Sequence, residues 1–154
     1  MRAKALGVLL ALAVAACGGT EPIDLAVSYT LSRIEGVAPP QLVGATAECD
    51  VSVVGGRITF ESPDPSVPVP DDYFELWLDV LTDCSRGGGS TSESSYGYTG
   101  TVETERRQVA FHTSRGSLGP LVFEGTVSSA GRLEVVVPFL VPTVDQVSVD
   151  FVPD

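Results

Sequence analysis

The chain has 154 residues, 44% of them hydrophobic, and its 20 Asp and Glu against 9 Lys and Arg give a formal net charge of −11 at pH 7. This length predicts a single domain. Nucleic acid and anionic lipid headgroups repel such an acidic surface, so the composition excludes a nucleic-acid-binding module. It is typical of a well-solvated protein and leaves a cationic partner open.

The N-terminal segment has the composition of a secretory signal peptide. Arg2 and Lys4 form a short basic region, and an uncharged Leu/Ala/Val-rich run of about ten residues follows over 6–15. A membrane-spanning helix needs roughly 20 apolar residues, and the glycines at 18–19 end this run earlier. We therefore predict a helical signal peptide over residues 1–16.

The end of this segment resembles the lipobox of bacterial lipoproteins, in which an aliphatic residue and two small residues precede a cysteine. The matching residues are Val14-Ala15-Ala16-Cys17. The resemblance implies that Cys17 is the first mature residue and carries diacylglycerol on its sulfur, usually with a further acyl chain such as palmitate on its amino group. Two or three acyl chains anchor a protein stably in a membrane. Plain secretion after cleavage behind Ala16 is the alternative.

The same resemblance implies a location in the cell. Gly18 occupies the position where an aspartate, in enteric bacteria, holds such lipoproteins at the inner membrane. The periplasmic face of the outer membrane is therefore expected, or the outer surface of the plasma membrane in a cell without an outer membrane. Residues 17–24 are then the acylated cysteine and a short tether, and residues 25–154 are the domain that this tether holds close to the bilayer.

The two cysteines that remain once Cys17 is acylated, Cys49 and Cys84, form an even pair. In an exported, oxidising setting such a pair is expected to form a disulfide. A metal site built on these two cysteines and the single histidine, His112, lacks a fourth ligand and the close ligand spacing typical of zinc sites. We therefore predict no metal and no cofactor.

Beyond the tether, apolar and polar residues alternate, and turn residues recur about every eight to twelve positions. This is the pattern of an all-β sandwich or barrel. A first strand is predicted over 25–31 and a loop over 36–44. Alternation on both sides of Gly55-Gly56 predicts a hairpin with a two-residue turn at these glycines, which would place Val53 opposite Ile58.

The second half of the chain continues the same pattern. A proline-rich loop over 62–72 precedes a long strand over 73–84, and a flexible loop over 85–95 follows it. Further strands are predicted over 96–102, 109–113, 121–127, 133–137 and 147–151. Eight or nine antiparallel strands in this order predict an up-and-down barrel, closed or nearly closed, because closure removes exposed edges. A two-sheet sandwich is the alternative, and no helix is predicted after the signal peptide.

With its strands in this order, the chain resembles the small lipocalin-like lipoproteins of bacteria. Besides the lipobox, turn signatures carry this resemblance: Tyr29-Thr30-Leu31 with Gly36 and Pro39, Cys49 with Gly56, residues 96–102 with Val109-Ala110-Phe111, and Gly125-Thr126-Val127 with Leu133. A proline-rich insertion at 63–72 and the prolines at 138 and 142 depart from the family pattern and bear on barrel closure. The resemblance implies a lipocalin-like fold and a membrane anchor, and most members of that family have no assigned activity.

An eight-stranded barrel is just wide enough to be filled by its own side chains or to hold one small ligand. The predicted lining of an apolar ligand pocket is Tyr29, Phe60, Leu76, Leu78, Tyr98, Phe111 and Phe123. Its polar anchors would be Tyr29, Tyr98 and Thr113, and Gly100 and Gly125 would leave room. A dry, packed core explains the same bulky residues. The sequence thus favours two functions, namely binding of a small apolar ligand, or contact between a filled barrel and another envelope component.

We predict that the protein is not an enzyme. His112 alternates out of phase with the apolar residues around it, so it is expected to face solvent without the partners of a catalytic triad. Glu75, Asp79 and Asp83 on one strand face, with the aspartates at 71–72, have the spacing of a carboxylate pair or a calcium site. A solvated strand face accounts for the same residues and is the interpretation that we favour. Trp77 lies on this acidic face, either covered by a neighbouring part of the chain or marking a contact patch.

Overall fold

A computed structural model describes residues 23–62, 64, 66, 68–115, 120–141 and 144–154. The predicted signal peptide, Cys17 and most of the predicted tether lie outside these residues. Most of the described residues lie in strands. The strands are β1 (Ser28–Ile34), β2 (Gln41–Ala45), β3 (Asp50–Thr59), β4 (Tyr73–Asp83), β5 (Thr91–Glu105), β6 (Gln108–Arg115), β7 (Leu121–Val127), β8 (Leu133–Val141) and β9 (Val144–Pro153).

The nine strands form one antiparallel sheet in the order β1-β9-β8-β7-β6-β5-β4-β3-β2. β1 also pairs with β3, through Ser28↔Thr59, Tyr29↔Ile58 and Thr30↔Arg57, and this pairing closes eight of the strands into a barrel. β2 is the extra strand and hydrogen-bonds only to β3 within the described sheet. The prediction of a closed antiparallel barrel of eight or nine strands is confirmed, and the architecture is consistent with a lipocalin-like fold.

The predicted hairpin at Gly55-Gly56 is wrong, because both glycines lie inside β3. The first part of β3 pairs with β2, and its last three residues pair with β1. Between these parts the register against β4 shifts at Val53/Gly55, which marks a bulge. Glycine in a strand interior typically marks a bulge or a tight bend at a barrel corner. The two glycines therefore allow β3 to bend, so that it pairs with β2 before them and with β1 after them.

Two segments predicted as loops contain strands. β2 begins inside the predicted loop over 36–44 and ends one residue beyond it, and the predicted loop over 85–95 contains a short 3-10 turn at Ser85–Gly87 and the first five residues of β5. Serine-rich segments are typical of loops, but β4 offers residues 91–95 a continuous ladder from Asp83↔Thr91 to Asp79↔Ser95. Cross-strand pairing therefore overrides the local preference.

Smaller corrections concern strand ends. β1 begins at Ser28 rather than at residue 25, so Val27, inside the predicted first strand, lies outside the observed one and is 53% exposed. β8 continues through Pro138, which pairs with Gln146 of β9. In the turn after β7, Gly131 has a φ of 76°, a left-handed conformation that glycine adopts without steric cost.

The barrel interior contains the apolar residues of alternate strand positions, because successive side chains of a strand point to opposite faces. The fully buried side chains of largest volume come from six of the nine strands. They are Tyr29, Ile34, Val53, Ile58, Phe74, Leu76, Leu78, Val80, Val109, Phe111, Leu133 and Phe151. The alternation in the sequence therefore predicted the inward face of the strands, although it missed several strand ends.

A disulfide joins Cys49 to Cys84, with an S–S distance of 2.04 Å. Cys49 directly precedes β3 and Cys84 directly follows β4, next to the register pair Asp50↔Asp83. An ion pair between Arg86 and Asp50 lies beside it. The predicted pairing is confirmed, and the bond ties together the ends of two neighbouring strands at one rim of the barrel.

The pairing of β1 with the end of β9 is reinforced by Asp154, whose carboxylate accepts hydrogen bonds from Ser28 Oγ and Thr30 Oγ1, each at 2.6 Å. The bonds from Ser28 and Thr30 lower the pKa of this carboxyl, and nearby Arg57 adds to the effect. A lowered folded-state pKa stabilises the protein above the unfolded pKa, and this contribution is lost as the pH falls through the folded value.

Replacing Ser28 by Ala is expected to raise the pKa of the Asp154 carboxyl towards its ordinary value, because the largest cause of the lowering is removed. The measurement is an NMR pH titration of the side-chain carboxyl carbon. Ser92→Ala, an exposed serine on β5, is the matched control and should leave the titration unchanged. An unchanged Asp154 pKa in Ser28→Ala would contradict the assignment of these hydrogen bonds.

Candidate functional site

Six aromatic rings form a continuous contact path through the barrel interior. Tyr29 meets Phe60 edge-on with ring centroids 6.0 Å apart, and Phe60 stacks towards Phe111 at 6.5 Å. Phe111 and Phe123 stack at 4.9 Å with an interplanar angle of 13°. Tyr98 continues the path with an edge contact to Phe123 at 5.6 Å. The structure therefore brings together the aromatic residues predicted to line a pocket, and they contact one another.

Phe74 is the sixth ring, and the sequence-predicted pocket lining omitted it. It is fully buried on β4 and makes edge contacts with Phe111 at 5.0 Å and with Phe123 at 6.1 Å. Leu76 and Leu78, the next inward residues of the same strand, are also fully buried. The signal for Phe74 was present in the alternation of the long strand, since it has the same phase as the two leucines.

The glycines that were expected to leave room inside the barrel do not do so. A Cβ added at Gly125 would lie 3.2 Å from Phe111 Cε2, so the Phe111 ring covers this glycine. A Cβ added at Gly100 would lie 2.9 Å from both the carbonyl carbon of His112 and Thr113 Cα. Real Cβ atoms essentially never approach other atoms this closely, so Gly100 permits close backbone approach between β5 and β6.

The three predicted polar anchors bond to the protein's own backbone. The hydroxyl of Tyr29 accepts a hydrogen bond from the Ala26 N–H at 3.0 Å, and the hydroxyl of Tyr98 donates to the carbonyl of Pro138. Burial raises the pKa of Tyr98. Thr113 is buried, and its Oγ1 both donates to the carbonyl and accepts from the N–H of Leu121, each at 3.2 Å.

On the outer surface, Trp77 of β4 lies across Gly97 of β5, its cross-strand neighbour. A Cβ added at Gly97 would lie 2.6 Å from Trp77 Cη2, so one face of the indole lies against the β5 backbone. The indole Nε1 donates to Glu75 Oε1 at 2.7 Å. An aromatic residue opposite a strand glycine is a known way to stabilise a sheet. Trp77 is partly buried: β5 covers one face of the indole, as one of the two sequence-based interpretations expected, and the ring also borders open surface.

A shallow surface cleft opens beside this ring, lined by Gly56, Arg57, Trp77, Asp79 and Ser95. Arg57 lies opposite Trp77 on the β3 side, and Asp79 is the next outward residue on β4. Asp79 Oδ1 accepts a hydrogen bond from Ser95 Oγ at 2.9 Å. Sequence reasoning placed the tryptophan among carboxylates but missed the cleft, because its walls come from β3 and β5 as well as β4.

The carboxylates of the β4 segment do not converge. Asp83 accepts a hydrogen bond from the Ser85 N–H at 3.0 Å, and this interaction is the largest cause that lowers the pKa of its carboxyl. Glu75 is bonded to Trp77, and the aspartates at 71–72 are exposed at the foot of the strand. Within the described residues, no group of three or more His, Cys, Asp and Glu side chains is arranged to hold a metal ion.

His112 lies on the outward face of β6, and its side chain is 40% exposed. Its Nε2 is 3.7 Å from Glu103 Oε2, and Thr101 is its cross-strand neighbour on β5. The side chain thus faces outward beside a carboxylate, on the opposite side of β6 from buried Phe111 and Thr113.

No protein-family model matches this chain, and comparisons with curated proteins and with solved structures find no match to it. Over the part of the chain that the structure describes, no helix is both long enough and apolar enough to cross a lipid bilayer.

Proposed function

We propose that this protein is a lipid-anchored envelope protein, tethered through Cys17, whose filled barrel contacts another envelope component with its outer surface. The packing of the interior carries this proposal. Phe111 covers Gly125 and stacks on Phe123, while the hydroxyls of Tyr29 and Tyr98 bond to backbone groups. A ligand pocket needs unoccupied apolar space and a few available polar groups. In this barrel the aromatic rings fill the apolar space and the tyrosine hydroxyls are already bonded to the backbone. This packing favours the outside of the barrel as the surface for recognition.

The anchor is supported by the sequence Val14-Ala15-Ala16-Cys17, which resembles a lipobox. Replacing Cys17 by Ser is expected to move the protein from the membrane fraction to the soluble fraction, because the acyl chains need a sulfur for attachment and supply the membrane affinity. The measurement is fractionation and immunoblotting of cells that express each form, with the intact mass of the purified protein as a second readout. Thr20→Ala, just beyond the lipobox, is the control and should stay in the membrane fraction. A Cys17→Ser protein that stays in the membrane fraction would contradict the assignment of Cys17 as the lipid anchor.

Binding of a small apolar ligand is the second candidate, and one observation favours it. Of the six aromatic side chains in the contact path, Phe60 alone is partly buried, whereas the other five are buried. It contacts both Tyr29 and Phe111, so an apolar molecule entering the barrel at this end would displace Phe60 first.

A thermal-shift screen against long-chain fatty acids separates the two candidates. A ligand at 100 times its Kd stabilises the folded state by about 2.7 kcal/mol, which raises Tm by roughly 10 °C in a domain of this size. For a filled barrel we expect no such shift with any fatty acid. The protein used in the screen carries Cys17→Ser, so it has no attached acyl chains that could themselves occupy the barrel. A saturable rise in Tm that Phe60→Trp abolishes would establish the ligand-binding function instead.

A further inference from the structure

We propose that the cleft beside Trp77 binds a neutral saccharide, with the apolar face of one sugar ring stacked on the exposed face of the indole. This inference rests on the proposed function, because it names the chemistry that the outer surface of the barrel recognises. Four features of the cleft carry it: a fixed aromatic ring, open space beside that ring, hydrogen-bonding groups at its edge, and charges of both signs.

The indole is held in one orientation before any ligand arrives. One face lies against Gly97, and its Nε1 donates to Glu75 Oε1 at 2.7 Å. A ring fixed at both its face and its polar edge loses little conformational freedom on binding, and such preorganisation favours affinity. Trp77 is only partly buried and lines the cleft, so the face that does not contact Gly97 is available on the outer surface of the sheet.

Open space beside the indole is the cleft itself, lined by Gly56, Arg57, Trp77, Asp79 and Ser95. Gly55 pairs with Asp79 on the outward face of β3, and a Cβ there would lie 3.2 Å from Asp79 Oδ2. β3 therefore presents backbone rather than a side chain next to Asp79, at the edge of the cleft.

Hydrogen-bonding groups stand at the edge of the same cleft. The carboxylate of Asp79 uses Oδ1 for Ser95, and a carboxylate has about four acceptor sites in all. Exposed Arg57 supplies guanidinium donors on the other side of the ring. An apolar platform bordered by acceptors and donors matches a sugar ring, which has a C–H face and hydroxyls around its edge.

The charges of the cleft decide between ligand classes. A cation would be attracted by the indole face and by Asp79, but Arg57 in the cleft wall opposes it. An anion would be attracted by Arg57, but Asp79, Glu75 and the net charge of −11 oppose it. An uncharged polyhydroxyl compound can use both the carboxylate and the guanidinium, so a neutral saccharide fits best.

Trp77 is the only tryptophan of the chain, so its fluorescence reports directly on this cleft. The full chain, purified in a polyoxyethylene detergent that has no sugar headgroup, is titrated with the neutral oligosaccharides cellotetraose, maltotetraose and chitotetraose. Tetramethylammonium and tetragalacturonate are the cationic and anionic probes. We expect a saturable change in emission with at least one neutral oligosaccharide and none with the charged probes.

Two variants separate recognition from folding. Asp79→Ala removes the edge carboxylate and is expected to weaken saccharide binding about tenfold or more, since a hydrogen bond to a charged group is lost. Glu75→Gln keeps an acceptor for the indole Nε1 but removes the charge, so the Kd for a neutral saccharide should stay within about twofold. Val122→Ala, a 57% exposed residue on β7, is the matched control and should not change the Kd.

The proposal is overturned if no neutral oligosaccharide changes the emission, if only a charged probe does, or if Asp79→Ala binds as tightly as the original protein. Circular dichroism and thermal unfolding of each variant verify that it is folded. The proposed function has independent readouts in the fractionation of Cys17→Ser and in the fatty-acid screen. A failed saccharide titration with a confirmed anchor and a filled barrel therefore removes this inference alone.

Discussion

Replacing Phe111 by Ala is expected to lower the free energy of unfolding by about 3–5 kcal/mol, which is the range for a fully buried aromatic side chain. Phe111 has no solvent exposure and contacts the rings of Phe60, Phe74 and Phe123, so its removal leaves a cavity in the middle of the aromatic path. Gly125 beneath the ring has no side chain to fill the space. A domain whose total stability is about 5–15 kcal/mol loses much of it through this one change.

The measurement is urea unfolding followed by circular dichroism. Phe60→Ala is a useful comparison, because the same chemical change at a partly buried ring removes less surface from the interior and should cost less. Val122→Ala, on the outside of the barrel, should change stability by no more than about 0.5 kcal/mol. If Phe111→Ala costs no more than the Val122 control, the interior is not the packed core that supports the proposed function.

Removing the disulfide by replacing Cys49 and Cys84 with Ala is expected to lower the free energy of unfolding by about 3–4 kcal/mol. The bond closes a loop with a sequence separation of 35 residues, so its loss increases the conformational entropy of the unfolded chain. It also frees the ends of β3 and β4 at the barrel rim. We expect the hydrogen exchange of amides near the register pair Asp50↔Asp83 to accelerate more than that of amides in the middle of β4.

Arg86→Ala tests whether the rim is stabilised by the covalent bond or by the ion pair beside it. The Arg86 and Asp50 side chains are about half exposed, and surface ion pairs contribute about 0–1 kcal/mol. We therefore expect this variant to retain most of the stability that the cysteine variant loses. Equal losses in both variants would show that the ion pair contributes as much to the stability of the rim as the disulfide does. Treating the original protein with a reductant should reproduce the cysteine variant.

The cleft beside Trp77 was only partly predictable from the sequence. Alternation along the strand places Trp77 on the same face as Glu75 and Asp79, where a tryptophan is unusual. The roles of Gly97 and Arg57 depend on the cross-strand register of β4 with β5 and with β3. Register is a property of paired strands, so a single sequence does not specify which glycine lies under the ring.

The sequence by itself determined the class of fold, the inward face of most strands and the pairing of Cys49 with Cys84. Each of these depends on side-chain pattern or on the number of thiols, which are properties of the chain alone. Only the tertiary structure decided that Gly55-Gly56 bends β3 between two partners, that residues 91–95 are strand, and that β1 closes the barrel on β3. Glycine and serine impose little local conformation, so these segments take the form that backbone hydrogen bonds to neighbouring strands require.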